Sequence, residues 1–154
     1  MRDRTAPTLA RGVYAGGMTD VLRYAAFTSN PGGGNPAGVV LDAAGLGDAE
    51  MQRIATEVDF AETAFVTGST ADGAVAIRYF SPIAEVPFCG HATVATAIAM
   101  AERGHVDAPG AVTFDTPVGA VSIDVSQDAD GPRAAFTSVE PAVTPLAEIG
   151  RAHV

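Results

Sequence analysis

The chain has 154 residues, of which 47% are apolar and 18% are charged, so it can bury one substantial core and is not disordered. Acidic residues outnumber basic ones by 18 to 9, and a net charge of -9 argues against nucleic acid and anionic membranes as partners. An anionic substrate would therefore have to be held by local N–H groups. One cysteine excludes an intrachain disulfide, and without a signal segment this composition favours the cytoplasm.

The N-terminal part of the chain contains one clear strand pattern. Residues 1–17 show no period and predict a loose leader, which leaves a single domain over residues 18–154. Val21 to Phe27 predicts a first strand, with alternate residues on one face: Val21, Arg23, Ala25 and Phe27.

A Gly- and Pro-rich run over residues 28–38 follows this strand and breaks regular structure. It ends in Asn35-Pro36 rather than the Lys-Ser/Thr of a P-loop, so nucleotide binding is rejected. The run is either a flexible connection or a loop whose backbone closes over a ligand. Ala37 to Asp42 predicts a short apolar strand.

A surface helix is predicted over Leu46 to Val58, with Asp48 as its N-cap and one apolar face: Met51, Ile54, Ala55 and Val58. Asp59 to Phe65 then returns to an extended pattern. Glu62 is the one carboxylate in its mainly apolar part. Such surroundings raise the pKa of a carboxylate and suit proton transfer. The alternative is an outward-facing strand residue.

The predicted fold is α+β, with a mostly antiparallel sheet curled around a central buried helix. Further strands are predicted over four segments: Ala74 to Phe80, Val112 to Asp115, Ala120 to Val125 and Arg133 to Val139. The polar run over residues 126–132 reads as turns, and the tail over 140–154 has little periodicity.

The central helix is predicted from about Gly90 to Arg103. It is apolar all round, so it must be buried on every side, and it is too short to span a bilayer. Ala favours helix, and Gly104 is a suitable residue to end it.

The start of this helix is the candidate site. N–H groups at Cys89, Gly90 and His91 lack intrahelical partners and suit a small carboxylate, and Gly90 would let it approach the backbone. The helix dipole should lower the pKa of Cys89 below about 8.5 and favour neutral His91. The alternative is a reduced core cysteine beside a capping histidine. No metal-ligand cluster is evident, and His105 and His153 are expected at the surface.

Four blocks in this order resemble the PhzF-like (phenazine-biosynthesis-like) family of the diaminopimelate-epimerase fold. They are Phe27 to Gly38 with Gly34-Asn35-Pro36-Ala37, Ala61-Glu62-Thr63-Ala64-Phe65-Val66, Arg78 to Glu85, and Val86-Pro87-Phe88-Cys89-Gly90-His91-Ala92-Thr93. Together they cover roughly residues 21–140. The resemblance implies two similar lobes, each a curled sheet around a helix, with the active site between them.

The resemblance also implies cofactor-free proton transfer on a small carboxylate-bearing substrate. Glu62 matches the general acid/base, His91 the residue beside the substrate, and Cys89 a position where epimerase relatives carry a proton-transferring cysteine. The matches to substrate-binding positions are Asn35 and the backbone of Gly90, His91, Ala92 and Thr93.

The resemblance covers the first lobe only, and three explanations are open: a truncated or split gene, a partner chain that supplies the second lobe, or self-association. A bare apolar helix start predicts a homodimer when no partner chain is present. The alternative to an isomerase is a non-catalytic small-molecule-binding or scaffold domain.

Overall fold

The structure is a computed structural model, and it describes residues 8–13, 19–30 and 32–137, with only the backbone described for residues 8–13. The described part contains two helices, α1 (Asp48–Val58) and α2 (Gly90–Glu102). It also contains nine strands: β1 (Thr8–Val13), β2 (Asp20–Ala26), β3 (Asn35–Val40), β4 (Glu62–Ser69), β5 (Val75–Phe80), β6 (Glu85–Val86), β7 (Gly110–Thr116), β8 (Gly119–Asp128) and β9 (Gly131–Ala135).

The strands form one mixed sheet in the order β1-β2-β3-β4-β5-β7-β8-β9, with β6 paired to β5. The pairs β3–β4 and β5–β7 are parallel, and the other described pairs are antiparallel. Each parallel pair has a helix between its strands along the chain, because parallel strands need a long crossover. The prediction of a mostly antiparallel sheet in an α+β domain is confirmed.

Helix α2 is the centre of the main core. It contacts β2, β3 and β4 from one part of the sheet and β8 and β9 from the other end, so the sheet curls around it. Every residue from Ala92 to Met100 is buried, as the absence of a polar face predicted. The helix ends at Glu102, one residue before the predicted end, and Gly104 has a φ of 71°, the left-handed conformation expected of a residue that terminates a helix.

Helix α1 covers the opposite face of the sheet through Met51, Ile54, Ala55 and Val58, the four residues predicted to face inward. The prediction of Asp48 as N-cap is wrong, because Gly47 occupies that position and Asp48 is the first helical residue. With helices on both faces, strand β2 is buried on both sides: Val21 packs towards α1, whereas Leu22 and Tyr24 pack towards α2.

Phe27 departs from the predicted first strand. Strand β2 ends at Ala26, and Phe27 has a φ of 63° and is 60% exposed. The backbone turns away at this residue into the Gly-rich run, where Gly34 has a φ of 73°. A Cβ on Gly34 would lie 2.3 Å from the carbonyl oxygen of Ala26, so this turn requires glycine.

Two segments for which no strand was predicted are in fact paired. Thr8–Val13 lies in the predicted loose leader and forms β1, antiparallel to β2. The polar run after Val125 extends β8 to Asp128, and only a two-residue turn separates it from β9. Polar residues are compatible with the end of β8, because Ser126 and Gln127 are exposed there. Residues 138–139 of the predicted last strand, and the tail, lie outside the described residues.

The candidate active site

Glu62, Cys89 and His91 form one cluster at the start of α2. The Cys89 thiol donates to Oε2 of Glu62 over 3.5 Å, and Nε2 of His91 lies 3.4 Å from the same oxygen. The Cys89 sulphur is 3.2 Å from Nδ1 of His91. Glu62 is the first residue of β4, which the parallel β3–β4 pairing places beside the helix start. Residues 27 positions apart in sequence thus share one site.

The three side chains differ in their access to solvent. Cys89 is 7% exposed, whereas the side chains of His91 and Glu62 are 11% and 24% exposed. A small molecule can therefore reach the carboxylate and the imidazole, with the thiol behind them. A carboxylate and an imidazole at this spacing can pass a proton to or from a bound molecule.

The prediction that the pKa of Cys89 is lowered is wrong. Burial raises the pKa of this thiol to about 12, and the neighbouring carboxylate of Glu62 acts in the same direction. The N–H groups of Ala92 and His91 stabilise the thiolate, as the helix dipole argument expected, but desolvation outweighs them. Cys89 is consequently a protonated thiol at neutral pH and can act as a proton donor.

Alkylation of Cys89 should reflect this raised pKa. As the only cysteine in the chain, it can be followed with iodoacetamide without interference. Because only the thiolate reacts, we expect the rate to increase by about tenfold per pH unit through pH 10 without a plateau. The urea-unfolded chain is the control and should level off near the free-cysteine value of about 8.5. A folded-state midpoint at or below that value would contradict the assignment.

The first turn of α2 contains the predicted substrate-binding backbone. The N–H and the hydroxyl of Thr93 both donate to the carbonyl of Cys89, at 3.0 and 2.7 Å, and the hydroxyl also lies 2.7 Å from that of Tyr79. Burial raises the pKa of Tyr79 to about 12, so its hydroxyl stays protonated. Thr93 thus fixes the helix start, and because the N–H groups of His91 and Ala92 are directed at the Cys89 sulphur, the N–H of Gly90 is the one left in this turn for a ligand.

Gly90 fills a packing role that the sequence did not reveal. A Cβ at this position would lie 3.2 Å from the ring of Phe136, which packs edge-on against Phe88. The glycine therefore accommodates an aromatic ring, so ligand access is not needed to explain its lack of a side chain. Its part in substrate binding stays a prediction.

Asn35 lies at the exposed start of β3. In the parallel register Glu62 pairs with Ala37, two residues after Asn35, and alternate strand residues share a face. Asn35 is therefore on the same face as Glu62, at the edge of the site. Its predicted contact with a substrate stays a prediction.

The Arg78 to Glu85 block has a structural role. Arg78 forms a two-point ion pair with Glu85, with both distances 2.7 Å, and a third contact of 2.8 Å with Asp48 of α1. This guanidinium is already neutralised by carboxylates, so it is not a receptor for a substrate anion. Capture of an anion by backbone N–H groups, which the net negative charge suggested, stays a prediction.

No metal-ligand cluster was evident from the sequence, but among the described residues the fold assembles one group with suitable ligands. One ligand atom each from Glu62, Cys89 and His91 lie within 4.8 Å of one another. No spacing rule could have found it, because Glu62 comes from a strand that is distant in sequence. His105 is exposed, as predicted, and His153 lies outside the described residues.

The fold defines a lobe of the diaminopimelate-epimerase-like class, with a carboxylate, a thiol and an imidazole together at the start of its central helix. Residues 24–153 match the family model of phenazine biosynthesis-like proteins. The chain belongs to the phenazine biosynthesis-like (PhzC-PhzF) family, as the resemblance predicted.

The known relatives below are longer than this chain, which covers less than half of the length of each. It is 44% identical over 122 residues to an uncharacterized isomerase of Deinococcus radiodurans, covering 79% of this chain and 39% of the relative. It is 47% identical over 75 residues to a trans-2,3-dihydro-3-hydroxyanthranilate isomerase of Pseudomonas fluorescens, covering 49% of this chain and 27% of the relative.

The solved structure of a PhzF-family protein from Bacillus anthracis superposes with a TM-score of 0.70 at 42% identity, covering 77% of this chain and 40% of that one. The match therefore spans about one lobe of a longer protein.

Neither α1 nor α2 has the length and apolar character needed to cross a membrane, and the same holds throughout the described residues.

Proposed function

We propose that this lobe catalyses cofactor-independent proton transfer on a small carboxylate-bearing metabolite, as an isomerase or epimerase. The cluster of Glu62, Cys89 and His91 at the start of α2 carries the proposal, in a chain whose relatives are named isomerases. One relative is named for a substituted anthranilate, which is a small carboxylate.

In the proposed reaction the Glu62 carboxylate takes a proton from an acidic carbon of the substrate. The C–H electron pair moves into the neighbouring π system, and protonated Glu62 returns the proton to a second carbon. An epimerisation returns the proton to the opposite face of the same carbon, and this needs a donor from outside the cluster, because the buried Cys89 thiol lies 3.5 Å from Glu62 on the same side. His91, 3.4 Å from the carboxylate, holds Glu62 in position and stabilises its charge.

The substrate carboxylate is assigned to the first turn of α2. Helix N-termini bind anions through N–H groups that lack intrahelical partners and through the helix dipole. Asn35, on the same face of the sheet as Glu62, completes the binding edge. This arrangement orients the acidic carbon towards Glu62 without a basic side chain.

Exchange of substrate hydrogen with solvent tests the function. The chain is incubated in deuterated buffer with a panel of unsaturated and 2-substituted small carboxylates, alone and with a chain that supplies the remaining length of its relatives. Deuterium incorporation at carbon, followed by NMR, is the expected result. Binding without exchange under both conditions would favour the binding or scaffold alternative.

We also propose that a second copy covers the apolar surface beside α2 when no second-lobe chain is present. A cavity of about 320 Å³ lies there, and Val118 is 59% exposed. Its lining is apolar at Phe88, Val118, Ala120, Val121 and Phe136 and polar at Ser122, Asp124 and Thr137. Soluble monomers rarely leave such a patch bare.

Light scattering at micromolar concentration should then give a dimer mass that Val118→Asp reduces to the monomer. Val118 is a better probe than Phe88, whose ring packs between Tyr79 and Phe136. Ile83→Asp is the matched control, because Ile83 is 90% exposed and does not line the cavity. A monomeric mass for the wild-type chain would refute the dimer.

A further inference from the structure

We propose that Glu62, Cys89 and His91 form a binding site for a thiophilic divalent cation, with Zn²⁺ as the best fit, and that this ion blocks the acid/base cluster. The proposal does not rest on the proposed reaction, because metal binding needs only the three side chains. A metal ion would thus be a second kind of ligand for this site, besides the proposed substrate.

The donor set suits zinc. Zn²⁺ is bound by thiolate, imidazole and carboxylate, usually with tetrahedral geometry, and sites with three protein ligands leave the fourth position open. Glu62, Cys89 and His91 supply one donor of each type. Mg²⁺ and Ca²⁺ prefer oxygen ligands only, so sulphur and nitrogen select against them.

The distances between donors also fit. Tetrahedral zinc with bonds of about 2.0–2.3 Å places its ligand atoms roughly 3.3–3.6 Å apart. The Cys89 sulphur is 3.5 Å from Oε2 of Glu62, that oxygen is 3.4 Å from Nε2 of His91, and the sulphur is 3.9 Å from Nε2. The sulphur lies nearer Nδ1 of His91 (3.2 Å) than Nε2, so the imidazole ring must turn before one ion can bond both a ring nitrogen and the sulphur.

Charge around the sulphur is favourable. The Glu62 carboxylate and the Cys89 thiolate together neutralise a divalent ion, and His91 adds a neutral donor. The thiol proton leaves to solvent when the metal binds, as thiolate ligation requires.

The consequence for the reaction is inhibition. The oxygen of Glu62 that faces Cys89 and His91 would be bonded to the ion and so could not accept a proton from carbon. Partial exposure of Glu62 gives the ion a path from solvent. The site would thus make the enzyme sensitive to free zinc and restorable by a chelator.

Co²⁺ provides a direct test because thiolate ligation gives a charge-transfer absorption band in the near ultraviolet. We expect one Co²⁺ per chain with this band and with tetrahedral visible bands, and displacement of Co²⁺ by Zn²⁺. Cys89→Ser should abolish the charge-transfer band. Glu62→Gln should weaken binding by about 100-fold or more, because losing a direct ligand should cost at least as much as losing an outer-shell partner.

His105→Ala is the matched control, because His105 is exposed beside a different cavity that also has Asp72 and Asp107 in its lining. It should leave the band and the affinity unchanged. Circular dichroism of each variant separates loss of a ligand from loss of folding. A wild-type chain without the charge-transfer band, or a band that survives in Cys89→Ser, would overturn the proposal. Loss of metal binding with intact proton exchange would leave the proposed reaction standing.

Discussion

Replacing Glu62 by Gln should reduce solvent-deuterium exchange into the substrate by about 100-fold or more, the contribution typical of a positioned acid/base group. The amide keeps the size of the side chain and its ability to hydrogen bond, but it cannot accept a proton from carbon. The measurement is the initial rate of deuterium incorporation under the conditions in which the wild-type protein is active.

Glu57→Gln is the control for this change. Glu57 lies on the exposed side of α1, where it pairs with Arg53. Glu57→Gln therefore makes the same chemical change as Glu62→Gln, but away from the site. It should leave the exchange rate within about twofold, since surface substitutions away from special contacts have small effects. Equal losses in Glu57→Gln and Glu62→Gln would remove Glu62 from its assigned role.

Replacing Gly38 by Ala should lower the free energy of unfolding by about 1–3 kcal/mol, the usual range for overpacking a core. A Cβ at Gly38 would lie 2.6 Å from Oγ1 and 2.8 Å from Cγ2 of Thr63, its partner on the neighbouring parallel strand. Thr63 is buried, and neither central strand can move away freely. Urea unfolding followed by circular dichroism measures the loss.

A second substitution makes this test specific. Thr63→Ala removes both clashing atoms, so the double variant should recover most of the stability lost in Gly38→Ala. The Thr63 hydroxyl has no hydrogen-bond partner among the described residues, so its removal leaves no buried group unpaired. Gly45→Ala is the control, because nothing lies within 4 Å of the added methyl, and it should be near neutral. Failure of Thr63→Ala to compensate would contradict the clash.

The position of Gly38 links stability to the site. The next pair in the β3–β4 register is Ala37 with Glu62, so a displacement of β4 by the Gly38 clash also moves the carboxylate. We therefore expect Gly38→Ala to lose exchange activity as well as stability.

The fold was predictable where one strong pattern dominated. An uninterrupted apolar run with no polar face could only be a buried helix, and α2 is one. The face of α1 was equally clear from its spacing. Weak patterns did not predict the strands β6 and β1. Strand β6 has only two residues, and β1 is held by its pairing with β2, which cannot be read from the residues of β1 alone.

The sequence pointed to the three residues that the fold brings together, but not to their geometry. The helix start indicated Cys89 and His91, and an isolated carboxylate indicated Glu62, whereas their contacts depend on the β3–β4 register. The direction of the Cys89 pKa shift depends on a balance between the helix dipole and burial. Burial comes from long-range packing of the core around Cys89, so it could not be weighed from the residues beside it in sequence.

The pH dependence of solvent-deuterium exchange between pH 7 and 10 tests most directly whether Glu62, rather than Cys89, is the base. Burial raises the pKa of Cys89, so a thiolate base would make the rate rise by about tenfold per pH unit over this range. The assignment of the base to Glu62 predicts no such rise. A rate that climbs tenfold per unit in the wild-type protein and loses that climb in Cys89→Ser would contradict it.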